Sequence, residues 1–216
     1  FLLPIVLTVS HRMIPFFSSR VLDNYVLIRP YWMLWLMLAC IGAHGCLQSL
    51  EMPAYLWIVD FPLAGCAFYL SYRWGFLRSF RVSLLAVLHV SFAWLGIAMT
   101  LYAVQSLVYL LSGSMLLGLA PLHALAIGYF ASMVLAMASR VTLGHSGRPL
   151  ELDHITWILF LSFQAAAVLR ILADIVPMIA PMLYVAAGLA WLGCFVFWAA
   201  KYAPIYWRQR VDGKPG

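Results

Sequence analysis

Seven polar side chains stand where apolar segments should hold none: His44, Asp60, His89, His123, Gln164, Arg170 and Asp174. An ionisable group within a bilayer costs about 2.5–3.5 kcal/mol on insertion scales, so it turns toward protein or a cavity. At 1.5 Å per residue, His44 lies about 5 Å from the middle of its apolar run and His123 about 6 Å from the middle of its own. Both are displaced to the same side, so the two rings can share one depth, with Asp60, Arg170 and Asp174 in the same half. His89 falls in the opposite half, nearer His11, His145 and His154. Two imidazoles at one depth on different helices suit a haem iron or a copper ion, and an arginine can grip a haem propionate with two parallel bonds. A packing role competes with each. A membrane histidine serves as an interhelical hydrogen-bonding group, Arg170 and Asp174 are four apart and can neutralise each other, and Asp60 precedes Pro62 and can cap a bent helix. Met33, Met37, Cys40 and His44 share a helix face with copper(I)-friendly donors, a pattern that also serves plain packing.

A second cluster follows the apolar run that ends at Arg140: Thr142, Gly144, His145, Ser146, Gly147, Arg148 and Pro149. The glycines permit tight turns, the proline blocks immediate helix continuation, and Asp153 can cap a helix starting near His154. The cluster reads as an ordinary basic loop, as an anchor for an anionic group such as a propionate or an acidic partner, or as a proton entry through His145.

The elements that must position these groups are membrane helices. Of 216 residues, 65% are hydrophobic and 9% charged, against about 45–50% and about 25% in soluble domains, so no soluble core hides this much apolar surface. The expected class is all-α, a polytopic transmembrane bundle in one domain over 1–216. Six full spans are expected near 31–50, 54–72, 83–106, 115–139, 155–174 and 178–200, each long enough to cross a hydrocarbon core of about 30 Å. The opening run FLLPIVLTV lacks an initiator Met and a signal-peptide pattern, and reads as the end of a seventh span whose start is missing. Twelve of the thirteen basic residues fall on alternate connections: Arg12, Arg20 and Arg29 in 10–30; Arg73, Arg78 and Arg81 in 73–82; Arg140 and Arg148; then Lys201, Arg208, Arg210 and Lys214. The positive-inside rule makes that side cytoplasmic, the C-terminus included, and the net charge of +6 needs no nucleic acid. Trp32, Trp35, Trp57, Trp74, Trp157, Trp198 and Trp207 near segment ends read as an aromatic belt. The cysteines form no C-x-x-C pair and read as buried packing.

PLHALAIGYFASMVLAMASRVTLGHSGRPL at 121–150 resembles the signature of the NnrS family of bacterial membrane proteins. HRMIPFF at 11–17, AVLHVSF at 86–92 and KYAPIYWRQRVDGKPG at 201–216 are similar to further family elements, in the same order. The matched positions are Arg12, Pro15, His89, His123, Arg140, Gly144, His145, Gly147, Arg148 and Pro149. His11 stands where the family often has Gly, and Ser139 where it often has Thr. The resemblance implies a twelve-helix inner-membrane protein that contains haem and copper and belongs to the nitric oxide response, with this chain as its C-terminal half. It implies His89 and His123 as leading metal ligands, with His44 next on depth alone. The cofactor-binding candidates are then His89, His123, Arg140, His145, Arg148 and Arg170.

Three functions follow as expectations: a haem- and copper-binding protein that meets nitric oxide, a transporter or channel built on Asp60, Arg170 and Asp174 with helices broken at Pro62 and Pro121, or a structural subunit of a membrane complex. Expected partners are the lipid bilayer, haem, nitric oxide and a missing half or partner subunit. No nucleophile triad, phosphate loop or carboxylate dyad is present, so the sequence gives no forceful expectation of turnover.

Overall fold

The computed structural model of the protein describes residues 2–213; Phe1 and Lys214 of the basic tail lie outside them. Helix is the sole regular structure among the described residues. The elements are α1 (Leu2–Val21), α2 (Tyr31–Ser49), α3 (Trp57–Arg73), the short α4 (Phe76–Ser79), α5 (Ser83–Ser112), α6 (Ala120–His145), α7 (His154–Ile175) and α8 (Ala180–Tyr202). Six helical stretches are long and apolar enough to cross a membrane, α1 among them. The 17-residue α3 follows a 3-10 turn at Pro53–Tyr55 and sits at the lower end of spanning length. The all-α bundle expected from composition is therefore present.

Three boundaries differ from the sequence expectation. The opening segment is helical for 20 residues, Leu2–Val21, well past the apolar run at its start. It runs through His11, Arg12 and Pro15 because Leu7, His11, Ile14 and Ser18 form one buried stripe at helical spacing, while Arg12 sits on the exposed side. The loop expected at 10–30 therefore shrinks to 22–30. Helix α5 continues to Ser112, where Gly113 ends it at φ 70°. Helix α6 continues past Arg140 to His145, so half of the polar cluster is helical.

The long α5 is the hub. Fifteen of its residues are buried, on nearly every face, and it packs against α1, α3 and α6. Two crossings are close enough to need glycine. A Cβ on Gly96 would stand 2.7 Å from the Phe68 ring, and one on Gly128 would stand 2.5 Å from the Trp94 ring. Gly128 lies in a π-helical stretch, Ala124–Ala131, that interrupts α6. Trp94 Nε1 donates to Gln164 Oε1 (2.6 Å), Gln164 Nε2 donates to Ser132 Oγ (2.9 Å), and Ser132 Oγ donates to the Ile127 carbonyl (3.1 Å). Gln164 thus binds α5, α6 and α7 together, which is a packing role.

The two ends of the bundle differ. At one, Trp74 Nε1 donates to the Ile28 carbonyl, Arg78 to the Asp23 carbonyl, and Lys201 to Asp153. This basic end gathers the 22–30, 73–82 and 146–153 connections and the tail. Trp74 departs from the aromatic-belt expectation: it is fully buried. Cys46 likewise is exposed, while Cys40 and Cys194 are buried. At the other end Ser106 Oγ accepts from the Trp57 amide (3.1 Å) and donates to the Pro53 carbonyl (2.6 Å), fixing the start of α3 on the end of α5.

Two outcomes follow. Gly128→Ala forces a methyl into a rigid indole, and overpacking of that kind costs about 1–3 kcal/mol; the unfolding midpoint in detergent falls, whereas Gly188→Ala, which meets nothing within 4 Å, leaves it unchanged. Asp153 caps α7 by accepting from the Thr156 amide (2.9 Å). Burial pushes its carboxyl up, but bonds from Lys201 and Thr156 outweigh this and bring it down to about 2, below the ordinary 3.8. A depressed carboxyl stabilises the fold above its unfolded value and loses that contribution as pH falls through the folded one. The midpoint gap between the parent chain and Asp153→Asn is therefore full at pH 7 and closes between pH 3.8 and about 2.

Candidate functional site

At the end opposite the basic connections, two histidine–aspartate pairs join neighbouring helices. Helix α2 carries His44 five residues before its end, and α3 carries Asp60 in its first turn. His44 Nδ1 and Asp60 Oδ1 are 2.7 Å apart, and the Asp60 side chain is fully buried. An ionised carboxylate only accepts, so Nδ1 carries the proton, and in the neutral ring Nε2 has a lone pair. Tyr102 of α5 meets the ring edge-on, 5.1 Å between centroids. The ring lines a cavity of about 340 Å³ together with Gln48, Tyr102, Gln105, Gly118 and Leu122. Gln105 Oε1 and Asp60 Oδ2 are buried without a hydrogen-bond partner.

The second pair is more crowded. His123 Nδ1 stands 2.5 Å from Asp174 Oδ2, and Arg170 Nε donates to His123 Nε2 at 3.1 Å. Tyr184 OH donates to Asp174 Oδ1 (3.3 Å), and its ring lies 4.1 Å beneath the Arg170 guanidinium. Arg170 and Asp174 thus meet through the imidazole, which uses both of its nitrogens. Pro121 is tolerated in the first turn of α6, where its missing N–H would have no partner. The π-helical stretch begins directly after His123, a distortion frequent at functional sites. Gly118 joins the pairs: it lines the His44 cavity, and a Cβ on it would lie 3.8 Å from Asp174.

His89 is elsewhere, in the first third of α5. Its Nε2 is 3.0 Å from Ser18 Oγ of α1. Ser18 commits its one proton to the Ile14 carbonyl (2.9 Å), so His89 Nε2 is the donor and holds no lone pair there. The three histidines expected as metal ligands are therefore not brought to one point. Among the described residues, no three His, Cys, Asp or Glu side chains are grouped to hold a metal ion. Met33, Met37 and Cys40 sit in the central apolar cluster, the packing role open to that stripe.

The polar cluster at 140–150 binds protein. Arg140 is buried, its guanidinium 3.9 Å from the Phe17 ring centroid. His145 ends α6 and is exposed. Arg148 Nη1 is buried without a partner. Thr142 Oγ1 and Tyr206 OH are 2.6 Å apart, and the Val211 amide donates to the Ser146 carbonyl (3.1 Å). Gly147, at φ 70°, leaves room for Asp212: a Cβ there would stand 2.8 Å from the carboxyl carbon. The cluster is a seat for the C-terminal tail. Sequence reasoning passed over Tyr184, Tyr102, Gln105 and Ser18. A lone tyrosine, glutamine or serine in an apolar run carries little signal, since only its cross-helix partner gives it meaning.

A family model described as NnrS protein matches residues 1–210. The match covers nearly the whole chain, which does not bear out its reading as a C-terminal half. No curated protein and no solved structure matches it.

Gly147 supplies a further expected outcome. In Gly147→Ala a left-handed φ, costing roughly 1–2 kcal/mol outside glycine, adds to the clash with Asp212. The tail detaches, and trypsin cleaves after Arg208 or Arg210 roughly tenfold faster, by the free energy of that opening. Gly193→Ala, with nothing within 4 Å, keeps the parental rate.

Proposed function

The chain belongs to the NnrS family, and we propose that it is a haem-binding membrane protein of the bacterial response to nitric oxide. The observation that carries this reading is the His44–Asp60 pair. A buried carboxylate on Nδ1 fixes the ring and raises the basicity of Nε2, the arrangement that orients metal-bound histidines. The ring faces a cavity of about 340 Å³, near the lower end of the about 300–1,000 Å³ typical of small-molecule sites. With these features His44 would suit the role of a ligand to haem iron. They fit less well at His123, whose Nε2 accepts from Arg170, and at His89, whose Nε2 donates to Ser18. A copper ion caged by His, Cys, Asp or Glu finds no such group among the described residues. Copper stays in the proposal on the family resemblance alone.

In this reading Asp60 holds the His44 tautomer and Tyr102 holds the ring plane. Gln48 and Gln105 offer amide groups to a polar ligand in the cavity, and apolar Leu119 and Leu122 limit water. Haem iron would supply the open coordination position that nitric oxide seeks. Arg170, paired through His123 to Asp174, is a cation at the same end of the bundle, available to a propionate if the His123 bond is released. In this reading the basic end faces the cytoplasm of a bacterial inner membrane, which the positive-inside rule supports, and the histidine–aspartate end faces outward.

A transporter is the second reading. It rests on the half-buried His123–Arg170–Asp174 cluster beside a cavity of about 290 Å³ lined by Arg170, Tyr184 and Trp191, and on the irregular backbone that follows His123.

Purified protein is expected to carry iron and a Soret band that shifts with nitric oxide. His44→Ala abolishes the band, and Asp60→Asn weakens haem binding about 10- to 100-fold, as loss of a ligand's orienting partner does. A colourless, iron-free preparation, or a band untouched by His44→Ala, overturns the assignment. Solute flux in liposomes persisting without metal favours the transporter.

A further inference from the structure

A roomy cavity lies at the other end of the bundle from His44 and His123. At the basic end α3 stops at Arg73, and Gly75 reverses the chain at φ 86° before α4. The turn leaves a space of about 640 Å³ between α3, α4 and α5, whose lining includes Phe68, Ser71, Arg73, Phe76, Arg78 and Ala93. Ser71 is only 6% exposed, yet its Oγ has no hydrogen-bond partner. Other buried helix serines, Ser18, Ser91 and Ser139, donate to the carbonyl four residues back. Ser71 stands apart from them, a hydroxyl buried and uncommitted on the wall of a cavity. Around the rim, Tyr72, Leu77 and Phe80 are exposed apolar surface. Among the described residues, no carboxylate pairs with Arg73, Arg78 or Arg81.

The order of these groups along α3 is the order of groups in a lipid. The arginines stand at the helix end. Ser71 is about 3 Å deeper and Phe68 about 7 Å deeper, at 1.5 Å per residue. We propose that this cavity binds an anionic glycerophospholipid: the phosphate between Arg73 and Arg78, an ester carbonyl accepting from Ser71, and the upper acyl chain against Phe68, Phe76 and Ala93. Arg78 already donates to the Asp23 carbonyl, which holds its guanidinium at the mouth. Basic pockets between membrane helices recognise anionic headgroups in this way, each arginine adding attraction beyond the apolar contact. The site is independent of the haem reading, since no histidine lines it.

The test is lipid titration of the purified full chain, read by native mass spectrometry and thermal shift, with phosphatidylglycerol and phosphatidylcholine of identical acyl chains. Phosphatidylglycerol is expected to bind about thirtyfold more tightly, the product of two arginine contributions. Arg73→Gln with Arg78→Gln removes that preference. Ala93→Phe fills the space and weakens both lipids. Ser71→Ala weakens both severalfold and keeps their ratio. Arg208→Gln, an exposed cation of the same end, changes nothing. Equal binding of the two lipids, retained preference in the double variant, or an equal loss in Arg208→Gln overturns the proposal. So does loss of a co-purifying porphyrin from the double variant, which would make the occupant a propionate-bearing ring. An unchanged absorption spectrum beside altered lipid binding separates this test from that of His44.

Discussion

Within a hydrocarbon core there is no water to satisfy a polar atom, so each one must find its partner inside the protein. This constraint organises the molecule. Gln164 spans three helices through Trp94 and Ser132, His89 reaches across to Ser18, and Trp198 Nε1 donates to Ser139. Each pairing fixes the rotation of two helices that apolar contact alone would let slide. Among the buried polar atoms left without partners are Asp60 Oδ2, Gln105 Oε1 and Ser71 Oγ. The first two lie at the histidine–aspartate end, and the third lines the basic-end cavity.

The three candidate ligand histidines differ in chemistry although the sequence presents them alike. What separates them is the occupation of their ring nitrogens. In His44 one nitrogen meets a carboxylate and the other is uncommitted. In His123 an arginine takes the second nitrogen, and in His89 a serine fixes the proton on Nε2. Only the first arrangement leaves a basic lone pair beside open volume. His44 lies outside the family motifs that the sequence carries, yet it is the ring whose surroundings best suit a ligand.

The two ends have separate work. The basic end is a dense mechanical junction, where the tail sits on the 140–150 cluster and Lys201 locks onto the cap of α7. It also holds Arg73 and Arg78, which pair with no carboxylate among the described residues, beside the cavity at Ser71. The opposite end holds the paired charges that an apolar medium tolerates only in couples. The interruption of α6 by its π-helical stretch, just after His123, lies between the two.

Composition alone determined that this chain is a bundle of membrane helices, because so much apolar surface has no other stable arrangement. It also exposed the polar residues that break the apolar runs, since each is costly enough to need a reason. Helix ends were less legible: Arg12 and Arg140 read as loop residues because charge signals an interface, whereas one lies on an exposed helix side and the other stacks on Phe17. Partnership was not legible at all. Arg170 and Asp174, four apart, read as a pair and instead share His123. The patch around Gly147 read as a basic loop, an anion anchor or a proton entry, and its contacts with the tail at Val211 and Asp212 were in none of these readings. Hydrogen bonds between helices depend on rotation and depth together, and those are decided only when the whole bundle packs.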